Sequence, residues 1–305
     1  MAFAWIPITL LASASQALRT ALQRYLKGRL STNGASFTRF VFGLPFAIVY
    51  LSALVTAGVG RLPTTNARFW IWVLAASVSQ ILATSLQIHV MAARNYATGV
   101  AYGKTEVVQA ALFEIIFLGA TVTWMGAVGI VLGTLAVMLM SLVKSDRPVQ
   151  AFLAGWSEPT ALLGLAAGGL LGVAAVGFRG AAVSLGDPIP WVAAAFTLVV
   201  ATTTQTLIMG SYLALREPGE LRRVFGHAPA GVAVGAASAL GSAGWFTAFT
   251  LQIAAYVRTL GLAELAFTLL ISRYAFRERP SRAELNHAFD LMLQGEVKRS
   301  VVVYP

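Results

Sequence analysis

The chain has 305 residues, 57% of them hydrophobic and only 11% charged, with a mean hydropathy of +0.74. A soluble globule carries about 25% charged residues, so this composition excludes one and describes a protein of the bilayer. A net charge of +10 without a basic arm interleaved with aromatics excludes a nucleic-acid binder, and the absence of cysteine excludes disulfides, thiolate metal sites and cysteine nucleophiles.

In chain order, the apolar run from Phe3 flows into a long helix with no basic region before it, so the first helix is expected to stay as an anchor rather than be cleaved. Stretches long enough to span a bilayer lie near 4–23, 37–58, 69–91, 98–118, 124–143, 160–182, 190–213, 229–251 and 255–275. Alternating barrel strands are absent, and in lipid only helices and closed barrels satisfy their backbone, so all nine are expected to be helices. Pro45 in "FGLPF" predicts a kink in the second span. "GVAYGKTEVVQ", Gly99 to Gln109, looks at first like the end of a phosphate-binding loop. That loop needs a glycine five places before Gly103, where this chain has Thr98. Gly164, Gly168 and Gly172, spaced by four, predict a close helix–helix seam.

The longest polar interruption, "KSDRPVQAFLAGWSEP" at 144–159, divides the chain near its middle. The two sides carry a weak repeat. Ala101, Tyr102, Lys104, Thr105 and Phe113 match Ala255, Tyr256, Arg258, Thr259 and Phe267 at a constant offset of 154. "LRTAL" from Leu18 resembles "FRGAA" from Phe178, which sets Arg19 against Arg179. Related halves of this kind mark transporters whose substrate site lies near the bilayer midplane between them.

With that layout the chain resembles the EamA-type exporters of the drug/metabolite transporter superfamily. Glu278 and Arg279 fit the family's "LGER"-like turn between the fourth and fifth helices of a half. Ala120 stands where the first half would carry the glutamate, a departure from the pattern. The resemblance covers roughly 4–285 and implies ten helices. The expected fold is therefore an all-α membrane protein of two pseudo-symmetric repeats of about five helices. The units are 1–145, a linker 146–159, a second repeat 160–285, and a polar tail 286–305 in place of the tenth helix. "NHAFDLMLQGEVKRSVVVYP" is too charged to span. It resembles the closing helix and strand of zinc-dependent medium-chain alcohol dehydrogenases, but without cysteine or a G-x-G-x-x-G turn it implies no dehydrogenase activity and no cofactor. On nine spans, loop arginines and lysines place the N-terminus outside and the tail in the cytoplasm. The resemblance implies a cytoplasmic N-terminus instead.

A charge inside a span costs about 2.5–3.5 kcal/mol on insertion scales and needs a reason. The charged candidates are Arg19, Lys104, Glu106, Glu114, Arg179, Arg258 and Glu264. Lys104 and its repeat mate Arg258 are expected to converge on a substrate, with Arg19 and Arg179 as a second related pair. Tyr102, Tyr256, Gln80 and Trp245 complete the expected substrate contacts, and Glu106 and Glu264 are the candidates for proton coupling. Lys104 and Glu106, two places apart, are expected on different faces of one helix. Gln16, Gln80, Gln87 and Gln205 read as interhelical hydrogen-bond groups, and His89, alone near a helix end, reads as structural more than as a proton relay.

Cations dominate this set, which favours a substrate with an anionic group. The expected function is export of amino acids or related metabolites by alternating access, by a monomer of the bacterial inner membrane, since the two halves are already fused. A cationic or hydrophobic drug exporter on the same fold, a truncated non-transporting membrane protein, and a membrane-tethered oxidoreductase are the alternatives.

Overall fold

The computed structural model describes residues 3–26, 29–92, 102–142, 159–186 and 189–274. The dehydrogenase-like tail and the interhalf linker up to residue 158 lie outside them. The described residues form helices α1 (Trp5–Leu26), α2 (Thr32–Val41), α3 (Gly43–Thr56), α4 (Ala67–Ala92), α5 (Glu106–Leu118) and α6 (Trp124–Leu142) in the first half. The second half supplies α7 (Pro159–Ser184), α8 (Pro190–Arg216), α9 (Glu220–Gly226), α10 (Ala228–Leu251), α11 (Ala254–Gly261) and α12 (Glu264–Tyr274). This is an all-α membrane protein. Five segments are long and apolar enough to cross a bilayer unaided, namely Thr32–Thr56, Ala67–Gln87, Pro159–Ser184, Pro190–Arg216 and Ala228–Leu251. Large apolar side chains face outward without partners. Ile71, Ile116 and Leu215 are 68%, 70% and 79% exposed, an arrangement that lipid tails satisfy and water does not.

Three of the expected spans, the second, fourth and ninth, are interrupted. In the second, α2 stops at Val41 and α3 begins at Gly43, two residues before Pro45. Proline lacks an N–H, so it is tolerated in the first turn of α3 and not in the middle of a continuous helix. The fourth opens with a turn at Lys104 and Thr105, whose amide and hydroxyl both donate to the Tyr102 carbonyl. The ninth divides at Leu262 and Ala263 into α11 and α12.

The glycine seam lies where α7 meets the start of α5. A Cβ on Gly168 would sit 2.7 Å from the Gly103 carbonyl oxygen, and one on Gly172 would sit 3.2 Å from the Ala110 amide nitrogen. Backbones this close leave room only for hydrogen at those positions. Gln109 crosses the same seam, donating to the Leu165 carbonyl at 3.2 Å.

Packing does not respect the division of the chain at its middle. The main partner of α4 is α7, that of α1 is α10, and α5 also lies on α7, so the principal interfaces join one half to the other. Polar contacts add to this at one end. Ser31 caps α2 by accepting from the Gly34 amide, while its hydroxyl donates to Glu217 and its own amide to Glu220, both at 2.5 Å.

Candidate substrate cavity

A cavity of about 100 Å³ opens where α5, α10, α11 and α12 meet, lined by Lys104, Glu106, Trp245, Arg258, Glu264 and small or apolar neighbours. The helix breaks build it. Lys104 sits in the turn before α5 and Glu106 is that helix's first residue. They are therefore not two positions on one regular helix, and both reach the same space, against the expectation of opposite faces. Likewise Arg258 is on α11 and Glu264 begins α12, and the turn between them brings the two to one wall. The repeat-related cations Lys104 and Arg258 thus share one cavity.

Within it the charges are unevenly engaged. Arg258 is ion-paired to Glu106 and stacks its guanidinium over the Trp245 ring, 5.2 Å from the centroid. The indole Nε1 donates to Gln16 Oε1 at 3.0 Å, and Gln16 Nε2 donates to Glu264 Oε2 at 2.5 Å. Gly261 leaves room for the outer edge of the indole, since a Cβ there would collide with the Trp245 ring. Lys104 has no ion-pair partner among the described residues. Two cations and two carboxylates line the cavity, so its charge is balanced and not dominated by cations, as the sequence suggested. Gln16, expected to act as glue between helices, is a structural member of this site.

The other expected contacts lie elsewhere. Arg179 donates to Glu114 at 2.8 Å and to the carbonyls of Phe249 and Gln252 at 2.5 and 2.6 Å. Glu114, with no exposed surface, accepts from the amides of Ala254 and Ala255 at 2.9 and 3.2 Å. The pair therefore satisfies the carbonyl end of α10 and the amide end of α11 together, groups that a helix break leaves without intrahelical partners. Tyr256 is turned away from the cavity, its hydroxyl 3.0 Å from both the amide and the hydroxyl of Thr123. Tyr102 is buried against Met138 and Ala161. Gln80 lies in a second, smaller cavity, bonded to Gln205 at 2.6 Å. Arg19, on α1, does not line the first cavity, but its charge acts on Glu264 and Arg258 and its Nε is buried without a hydrogen-bond partner.

Comparison with known proteins agrees with this architecture. Residues 3–142 match the model of the EamA-like transporter family. No curated protein matches the chain. A solved crystal structure aligns over 97% of this chain and 95% of its own at 16% identity, with a TM-score of 0.63. At that identity the likeness is one of fold alone, and it extends across both halves.

Proposed function

From the EamA-like character of residues 3–142, we propose that the protein is a secondary transporter of zwitterionic small metabolites, amino acids first among them. It would work in the bacterial inner membrane as an exporter. The observation that carries this reading is the state of the four charges around the cavity. Arg258 and Glu106 hold each other, which leaves Lys104 and Glu264 on the cavity wall. A cation and a carboxylate across one small space match the carboxylate and ammonium of an amino acid, and charge-assisted hydrogen bonds are roughly twice as strong as neutral ones. Trp245 offers the apolar surface beside them.

The packing of the two halves around the site supports a reading of alternating access, with the broken helices α11 and α12 as the pieces that would reorient. Glu264 is the carboxylate best placed to exchange a proton with the cargo, because Glu106 is committed to Arg258. Export of a cationic drug is the weaker reading, since Lys104 shares the cavity with Glu264 and repels a cargo that carries positive charge alone.

The test is flux from proteoliposomes with three related solutes: phenylalanine, its decarboxylated amine and its deaminated keto acid. The zwitterion is expected to move fastest and to lose most in Lys104→Met. An amine moved as fast by Lys104→Met as by the wild type would replace the amino-acid reading with that of a cation exporter.

A further inference from the structure

The second cavity holds a feature that no part of the first explains. Arg39, on α2, faces it together with Gln80 of α4, Thr202 and Gln205 of α8, and Ser238 and Ser242 of α10. No carboxylate pairs with Arg39 among the described residues, and its charged neighbour is Arg19, a second cation. The Ser238 hydroxyl is buried there with no hydrogen-bond partner. The amide of Gln80 keeps its donors free, because its oxygen is the atom that accepts from Gln205. An uncompensated guanidinium, a free hydroxyl and a free amide converge on space enough for one water-sized group, about 20 Å³. The guanidinium of Arg39 is half-buried over the Phe40 ring, 4.5 Å from its centroid, and a cation inside a span without a carboxylate is unfavourable unless an anion occupies the site at some stage.

We propose that Arg39, Gln80 and Ser238 form a second station for the carboxylate of the cargo, reached from the first cavity past Arg19. Two observations connect the two cavities. Trp245 lines the first cavity, and its neighbour Phe246 on α10 lines the second. Arg19 acts electrostatically on Arg258 and Glu264 on one side and on Arg39 on the other. Arg19 is thus the cation between Lys104 and Arg258 at the first cavity and Arg39 at the second, and no carboxylate lines the second. In this conformation the second station has room for one water-sized group, and the carboxylate of the cargo enters as the halves rock apart. The inference rests on the reading of the cargo as carboxylate-bearing.

The test combines thermal unfolding in detergent with acetate, acetamide or chloride as probes, and phenylalanine flux in liposomes. Arg39→Met is expected to unfold at or above the wild-type temperature, because no carboxylate loses a partner. Its flux should fall about tenfold or more, the scale of a lost charged hydrogen bond, with partial recovery in Arg39→Lys. Acetate, and not acetamide, should raise the unfolding temperature of the wild type, less so in Arg39→Met or Lys104→Met, and not at all in the double variant. A lower unfolding temperature in Arg39→Met with an unchanged acetate response would make Arg39 structural and overturn the station. An equal response to chloride would replace the carboxylate with a halide. If acetate stabilisation survives Arg39→Met and vanishes in Lys104→Met, the second station falls and the first cavity stands. If it vanishes in Arg39→Met and survives Lys104→Met, the station stands and the role given to Lys104 falls.

Discussion

Arg179 with Glu114 and Arg258 with Glu106 are one chemical pair in two settings. Around the first, every strong partner is in place: two carbonyls from the end of α10, two amides from the start of α11, and a carboxylate closed off from solvent. Around the second, the guanidinium stacks on an indole and both charges border open space beside a lysine. The first pair closes a break in the backbone and lines neither of the two cavities. The second pair has capacity on its cavity side. The type of pair is no guide to its role, whereas the number of groups left unsatisfied around it is.

Removing Glu114 is the strongest way to break that contrast. Glu114→Ala strands the Arg179 guanidinium and two buried amides, and should cost about 3–5 kcal/mol, read as a loss of thermal stability in detergent. A loss below about 1 kcal/mol would make the two pairs equivalent. Gly168→Leu comes next. It forces a side chain between α7 and the turn carrying Lys104, with a cost of about 1–3 kcal/mol and flux reduced through displacement of the cavity wall. Leucine at 168 with wild-type stability and flux would mean that the seam does not position the site.

Lys104→Met sharpens the contrast from the other side. Flux should drop about tenfold or more with little change in unfolding temperature, and Lys104→Arg should lose less because it keeps the charge in another shape. Loss of insertion instead would place Lys104 among the structural cations. Glu106→Gln leaves Arg258 an uncharged partner, so stability should fall by about 1 kcal/mol and preference should move toward the keto acid over phenylalanine. An unchanged preference would remove Glu106 from the charge balance of the cavity. Tyr256→Phe is the smallest change, about 0.5–1.5 kcal/mol from the lost bonds to Thr123, with flux unaffected. A flux defect would return Tyr256 to the site.

How much of this was legible in sequence depends on distance along the chain. Hydropathy marks the spans because lipid acts on each helix alone. The glycines at 164, 168 and 172 mark a seam because close approach requires them, whatever the partner. The offset of 154 pointed to Lys104 and Arg258, which do line one cavity. The engagement of Arg179 is not legible in sequence because its partners, Glu114 and the ends of α10 and α11, are far from it along the chain. The contact of Tyr256 is hidden for the same reason, since Thr123 belongs to the other half. Arg39 escaped notice because it lies just inside the expected start of the second span, where a cation reads as reaching for the interface. What gives it away is the absence of a carboxylate on α4, α8 and α10 around it, a property of the packed bundle and not of any segment.

The interlocking of the halves also bears on how the protein is made. On the ribosome, α1 and α4 enter the membrane before α10 and α7, their main partners, exist. At a synthesis rate of about 5–20 residues per second, the remaining half takes roughly 8–30 seconds to appear. For that interval the polar faces of α1, with Gln16 and Arg19, and of α2, with Arg39, have only lipid, water or the insertion machinery against them. A cell that releases the first half early into the bilayer exposes three costly polar groups, so biogenesis should depend on an insertase that retains early helices until late ones arrive. Pausing or splitting the message within 143–158 would measure that dependence directly, as loss of accumulated protein rather than of transport.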